Sequence, residues 1–132
     1  MTHKKRNDFI HDRTKDLADI CCSLSCEKKY NFADMLNIAV NSPAKRFYVS
    51  TNVAFESIEK IKANKKIQGN PLRKQMIFEI YKRYILFKQD NSYLSDMKIV
   101  EKIITQQAPK FYITPEAARK YLKKWKIIEL QK

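Results

Sequence analysis

Glycine is almost absent from this chain of 132 residues. It occurs once, at Gly69, and proline occurs only four times. A many-turned β-sandwich or barrel needs more turn residues than this, whereas Lys, Ile, Leu and Ala are abundant here. A glycine-rich phosphate-binding loop cannot be built with one glycine. We therefore expect an all-α protein.

Cysteine and histidine are also scarce. Three crowded cysteines, at positions 21, 22 and 26, are typical of reduced thiols rather than of a disulfide framework. Cys22 and Cys26 are four residues apart, as two ligands of one metal can be. No second ligand pair follows at zinc-finger spacing, and His3 and His11 lie upstream. We expect neither a metal nor a cofactor.

Arrangements of catalytic residues are missing from the sequence. No histidine stands beside a Ser or Cys nucleophile. Tyr48 and Tyr112 would need patterned arginine and histidine partners to act as recombinase nucleophiles, and none surround them. We predict that the protein is not an enzyme.

Long apolar runs are absent too, so no membrane span is expected. The basic start is followed by Asp8, Asp12 and Asp16, where a secretory signal would carry its apolar core. These features, together with the reduced cysteines, indicate a cytoplasmic protein that does not contact membranes.

Positive charge is what the chain has in excess: 27 basic and 14 acidic residues give a net charge of +13. Both halves are basic, because residues 1–68 hold 13 basic and 8 acidic side chains and residues 69–132 hold 14 and 6. Such a field attracts polyanions. Nucleic acid is the usual one, and acidic proteins and anionic membranes are the competitors.

The chain contains an internal similarity at a spacing of 64 positions. Residues 42–61 read SPAKRFYVSTNVAFESIEKI and residues 106–125 read QQAPKFYITPEAARKYLKKW, which aligns Phe47-Tyr48 with Phe111-Tyr112. A repeat of this length indicates a duplicated block of supersecondary structure.

Periodicity and capping residues predict about six helices. Apolar stripes are expected to face inward, including Phe32 in the second helix and Tyr121, Leu122 and Trp125 in the sixth, while the fourth helix is rich in aromatics. The expected helices are Asp8–Ser25, one capped by Asn31 and ended by Pro43, one from Ser50 to about Lys65, Leu72–Lys88, one capped by Ser95, and one begun by Thr114-Pro115.

Two similar trihelical halves follow from this order, 1–68 and 69–132, together forming one compact domain. Each is a helix pair, a short extended Phe-Tyr connector and a third helix, in the manner of a helix-turn-helix unit. Neighbouring side chains of an extended connector point to opposite faces, so one of Phe47 and Tyr48 should be buried. The outward ring either stacks on a base or wedges between helices.

The last helix carries the sharpest functional signal. Its outward face is cationic, and Glu116 is the only nearby acid, whereas a solvated helix face normally mixes both signs. Lysine predominates over arginine, which favours phosphate contact over base readout. The predicted nucleic-acid contacts are Lys110, Arg119, Lys120, Lys123, Lys124 and Lys126, with Arg46, Lys60 and Lys62 secondary.

The doubled elements Pro-x-x-Arg-Phe-Tyr-Val-Ser and Ala-Pro-Lys-Phe-Tyr-Ile-Thr resemble those of a set of small, basic, mostly uncharacterised bacterial and phage proteins. The resemblance covers residues 31–61 and 95–125, and Ala44 and Lys45 interrupt the pattern in the first copy. It implies a helix-turn-helix-like fold and a phage or mobile-element setting, but no function.

These observations predict a non-enzymatic accessory or regulatory factor that binds duplex DNA in a salt-sensitive manner. Two alternatives stay open at this point. One is a phage- or mobile-element-associated structural protein that binds an acidic protein partner. The other is RNA binding, in which an exposed tyrosine stacks on unpaired bases.

Overall fold

The computed structural model describes residues 6–27 and 29–130, with side chains described over 8–27 and 29–125. It confirms an all-α protein of about six helices, and the described residues contain no β-strand. The helices are α1 (Arg6–Cys26), α2 (Phe32–Val40), α3 (Thr51–Lys62), α4 (Pro71–Asp90), α5 (Asp96–Ile104) and α6 (Pro115–Leu130).

Side-chain caps fix where the helices begin. The Asn31 carboxamide accepts a hydrogen bond from the Asp34 amide at 2.8 Å. The Ser50 and Ser95 hydroxyls accept bonds from backbone amides three residues later, at 3.2 and 3.3 Å. Each cap satisfies an amide that the first helical turn leaves unpaired. The predicted starts at Asn31, Ser50 and Ser95 are thus confirmed.

The helices recur at the spacing of the sequence similarity. Helices α2 and α5 begin 64 positions apart, at Phe32 and Asp96, and they end 64 positions apart, at Val40 and Ile104. Helices α3 and α6 also begin 64 positions apart, at Thr51 and Pro115.

Unit 1 of the structure comprises Met1–Ala44 and Pro109–Lys132. It contains α1, α2 and α6, and each of these helices packs against the other two. Apolar side chains from all three helices and from the connector before α6 form its core. Its buried members include Leu17, Leu36, Ala39, Val40, Phe111 and Ala118.

Unit 2 comprises Lys45–Ala108 and contains α3, α4 and α5. Helix α5 packs on both α3 and α4. The predicted stripe of α5, which is Ile99, Val100, Ile103 and Ile104, is fully buried. The core is completed by Phe47, Ala54, Ile58, Ile77 and Ile80.

These units do not coincide with the predicted halves 1–68 and 69–132. Each unit takes its third helix from the other half, because α6 packs with α1 and α2 while α3 packs with α4 and α5. Backbone hydrogen bonds of the two connectors accompany this exchange of third helices between the halves. The Phe47 amide donates to the Ile104 carbonyl at the end of α5, and the Phe111 amide donates to the Val40 carbonyl at the end of α2, both at 3.0 Å.

Several predicted inward positions are instead open to solvent. Phe32 is 46% exposed, because it lies in the first turn of α2, beyond the neighbours that bury Leu36. The α6 residues Tyr121, Leu122 and Trp125 are half-buried, and only Ala118 is fully enclosed.

Candidate nucleic-acid interface

Helix α6 begins as the sequence predicts. The Thr114 hydroxyl accepts a hydrogen bond from the Ala117 amide at 3.2 Å, and Pro115 occupies the first helical position. Proline has no amide hydrogen, and at the first helical position no intrahelical hydrogen bond is lost because of this. Its fixed φ also suits the helix. The buried Ala118 then sets which side of α6 faces the core.

Four exposed cations lie on the opposite side of α6, and we call them the α6 cationic face. With 3.6 residues per turn they spread over about 140° of the circumference. Within the described part of the chain, none of the four has an ion-pair partner. The residues are Arg119, Lys120, Lys123 and Lys124.

The corresponding face of α3 differs in charge. At a spacing of 64 positions, Glu56 corresponds to Lys120 and Glu59 to Lys123. Both glutamates are exposed, so neither is required by the core. The cationic face is therefore specific to α6 and is not shared by α3, the corresponding helix of unit 2.

Shallow grooves flank the α6 cationic face within unit 1. One groove lies along α6 itself, between Thr114 and Lys124, and Lys120 and Tyr121 contribute to its wall. The other separates the starts of α2 and α6 and is lined by Phe32, Ala33, Leu36, Pro115, Glu116 and Arg119. Arg119, Lys120 and Lys124 thus line these depressions.

Lys110 belongs to the same unit as the cationic face but is held differently. Its ammonium lies 5.4 Å from the centroid of the Tyr112 ring, a cation–π distance, and the side chain is half-buried. Tyr112 itself has φ +56°, a left-handed conformation that is uncommon for a bulky residue. The Lys126 side chain lies outside the described residues.

The three predicted secondary contacts, Arg46, Lys60 and Lys62, belong to unit 2 and not to unit 1. Arg46 donates from Nε to the Phe47 carbonyl at 3.0 Å and from Nη2 to the Val49 carbonyl at 3.3 Å, which engages its guanidinium with its own chain. Lys62 is paired with two carboxylates. Lys60 is exposed and stays available.

Lys62 belongs to a polar cluster that the sequence analysis missed. Asp96 accepts hydrogen bonds from Lys62 at 2.9 Å and from the Tyr84 hydroxyl at 2.7 Å, and Lys88 lies 3.0 Å away. The Lys62 ammonium also lies 4.7 Å from the Tyr84 ring centroid. This cluster, the Asp96 cluster, ties all three helices of unit 2 together.

Protonation in the Asp96 cluster follows from these contacts. The hydrogen bonds from Lys62, Tyr84 and Lys88 hold the pKa of Asp96 well below its usual range. Burial opposes the charge on Lys62, but its contacts with Tyr84 and Asp96 outweigh this and raise its pKa. Lys62 is therefore fully charged and internally paired, which makes it a weak candidate for phosphate contact.

The Phe-Tyr connectors bury their phenylalanines. Phe47 is 1% exposed and Phe111 3%, while Tyr48 and Tyr112 are half-buried. The Arg83 guanidinium lies 4.9 Å from the Phe47 ring centroid and donates to the Gln107 carbonyl at 2.9 Å. The buried phenylalanines support the interpretation of the connectors as packing elements.

The cysteines and acidic residues form no evident metal site. Cys22 and Cys26 are exposed, Cys21 is half-buried, and burial together with Cys22 raises the pKa of the Cys21 thiol. Over residues 8–27 and 29–125, no three His, Cys, Asp or Glu side chains come close enough together to hold a metal ion.

Within the same residues, no helix is both long and apolar enough to cross a membrane. Comparisons with protein-family models, with curated proteins and with solved structures find no match to this chain.

Proposed function

We propose that this protein is a non-enzymatic factor that binds duplex DNA through the α6 cationic face. The observation that carries the proposal is the set of four exposed cations, Arg119, Lys120, Lys123 and Lys124, without ion-pair partners in the described part of the chain. Surface cations are normally balanced by neighbouring acids. An unbalanced row attracts a polyanion.

Duplex DNA suits this surface because of its shape and charge. A major groove about 12 Å wide admits one α-helix, and phosphates line both of its edges. Cations spread over about 140° of α6 reach toward both edges when the helix lies in the groove. Three of the four are lysines, which bind phosphate as point charges rather than reading bases through a planar fork.

We also propose that the internal similarity arose by duplication of a trihelical block. Unit 1 then presents α6 as the third helix of a helix-turn-helix-like unit, with α2 before it. The charge difference between α3 and α6 supports contact through unit 1 alone. A small basic binding protein of this kind fits an accessory or regulatory role. We propose that it acts in the cytoplasm and is encoded by a phage or mobile element.

The test is a fluorescence-anisotropy titration of a labelled duplex of about 25 base pairs at 50 and 200 mM salt. Four phosphate contacts give a salt slope of about −3.6, so affinity should fall about 150-fold between the two conditions. In the triple variant Lys120→Gln, Lys123→Gln, Lys124→Gln, one contact remains, and the fall should be about 3–4-fold.

The matched control is Lys65→Gln, Lys66→Gln, Lys74→Gln, which removes the same charge from three exposed lysines of unit 2. We expect it to keep a slope near that of the unmodified protein. Equal losses in both triple variants would mean that net charge and not α6 drives binding. A single strand that outcompetes the duplex would favour the RNA alternative, and no binding at 50 mM salt would end the proposal.

A further inference from the structure

Helix α4 presents three large apolar side chains to solvent. Phe78 is 53% exposed, Ile85 40% and Leu86 56%. Ile85 and Leu86 follow Phe78 by seven and eight positions, which is about two helical turns. All three therefore lie on the side of α4 that faces away from the buried Ile80. We call Phe78, Ile85 and Leu86 the α4 apolar stripe. Three large apolar side chains exposed on one side of a helix are more typical of an interaction surface than a single exposed apolar residue is.

The fold does not require apolar residues at these positions. Leu17 in α1 and Ile80 in α4 are each completely buried, and pairing these two core residues sets α4 against α1 at a spacing of 63 positions. The positions corresponding to Phe78, Ile85 and Leu86 in α1 are then polar or small and exposed. They are Lys15, Cys22 and Ser23.

The surroundings of the stripe are basic. Lys82 lies between Phe78 and Leu86 on the same side of α4, and Lys74 lies at its start, both exposed. The nearest carboxylate along the helix, Glu79, is engaged at 3.1 Å by Arg83. The outward positions 74, 75, 78, 82, 85, 86 and 89 hold no acidic residue.

We propose that the α4 apolar stripe docks an acidic amphipathic helix of a partner protein. A docked amphipathic helix has its apolar anchors at i, i+3, i+4 and i+7, a seam as long as the seven positions from Phe78 to Ile85. Charge selects the partner. A second copy of this chain would carry its own net charge of +13 and place lysine against lysine, whereas glutamates flanking an apolar seam would meet Lys74 and Lys82.

This inference does not depend on DNA binding, since α4 belongs to unit 2 and the α6 cationic face to unit 1. The two faces are independent assignments. A factor with both would recruit a protein to nucleic acid.

The test uses a labelled 18-residue helical peptide with leucines at i, i+3, i+4 and i+7, glutamates beside them and alanines elsewhere, titrated by anisotropy at 150 mM salt. We expect a Kd on the order of 10–100 μM, which corresponds to about 5.5–7 kcal/mol of binding free energy. Phe78→Ser combined with Leu86→Ser should weaken binding at least tenfold. Lys82→Glu should weaken it about threefold or more.

Controls separate the stripe from general stickiness and charge. Phe32→Ser removes a comparably exposed phenylalanine of unit 1 and should leave binding unchanged. The variant Lys120→Gln, Lys123→Gln, Lys124→Gln should also bind normally, while a peptide with lysines for glutamates should not bind. Circular dichroism verifies that each variant is folded.

Several outcomes would overturn the proposal. They are no binding of the acidic peptide, equal binding of the basic peptide, and equal losses in the Phe32→Ser variant. A concentration-dependent dimer in sedimentation, abolished by Phe78→Ser with Leu86→Ser, would assign the stripe to a second copy. Stripe-dependent binding to anionic phospholipid vesicles without peptide binding would assign it to a membrane surface.

Discussion

Replacing Asp96 with asparagine removes the charge at the centre of the Asp96 cluster while keeping the side-chain shape. The Tyr84 hydroxyl, which is buried, donates to the carboxylate at 2.7 Å, a bond that contributes about 1–1.5 kcal/mol. Lys62 and Lys88 are each about a third exposed, so solvent screens them and each contributes about 0.5 kcal/mol. We expect Asp96→Asn to lower the free energy of unfolding by about 2 kcal/mol at pH 7.

The pH dependence of this effect has a definite sign. Asp96 has a depressed pKa when folded and an ordinary pKa of about 3.9 when unfolded. Its stabilisation is therefore complete above about pH 5 and is lost as the pH falls towards the folded pKa. Below pH 3.9 the loss approaches about 1.4 kcal/mol per pH unit, so the two stability curves should converge between about pH 5 and 2.5.

Urea unfolding followed by circular dichroism measures the difference. A slope of roughly 1–3 kcal/mol per molar urea turns 2 kcal/mol into a midpoint shift of about 1 M. Asp34→Asn is the matched control, since Asp34 is an exposed first-turn acid of α2, the helix that corresponds to α5. It should cost only the helix-dipole contribution of about 0.5 kcal/mol.

If Asp96→Asn lowers the free energy of unfolding at pH 7 by no more than Asp34→Asn does, the prediction is refuted. It fails equally if the difference from the unmodified protein is the same at pH 3 as at pH 7, because the cluster would then not be electrostatic. Trp125 is the only tryptophan and belongs to unit 1, so its fluorescence separates a loss in that unit from one in unit 2.

Two further substitutions probe the connector and the single glycine. Phe111→Ala empties a nearly fully buried site in unit 1 and should cost about 3–5 kcal/mol, with the Trp125 fluorescence transition moving to lower urea; an unmoved transition would refute the packing role. Gly69→Ala should cost about 1–2 kcal/mol in thermal unfolding, because φ is +125° there and a Cβ would lie 2.5 Å from Arg73 Cδ. A neutral result would contradict that backbone geometry.

The helices could be predicted because their signals are local. Asn31, Ser50 and Ser95 cap helices as expected, since a side chain and the amide three residues later need no tertiary partner to meet. The stripe of α5 was predictable as well, because a nine-residue helix with four apolar residues on one side has one way to bury them. Local physics determines these features.

The exchange of third helices could not be predicted from the same signals. Helices α3 and α6 carry corresponding apolar positions, such as Ala54 and Ala118, and both of these are buried. Either helix would fill either unit, so periodicity cannot select the pairing. The choice is made by the backbone of the connectors, where Phe47 bonds to Ile104 and not to the end of its own preceding helix.

Charge patterning predicted the candidate site only in part. The exposed cations of α6 follow from counting residues around a helix, which needs no knowledge of the fold. Lys62 looked equivalent to them by sequence, but Asp96 lies 34 positions away and only tertiary structure brings the two together. Two hydrogen bonds of Arg46 go to backbone carbonyls of its own connector, and contacts of this kind leave no trace in residue type.

The differences between corresponding surfaces point to where function resides. Core positions of the two units keep apolar residues, as Leu17 and Ile80 do, because the fold imposes the same packing on both. Exposed positions are free to diverge, and they do so on the α6 cationic face and at the α4 apolar stripe. Lys120 and Lys123 stand where α3 has glutamates, and Phe78 and Leu86 stand where α1 has Lys15 and Ser23. Because the corresponding positions of the other helix are also exposed, packing does not account for either difference, and both faces are the ones that we propose as binding surfaces.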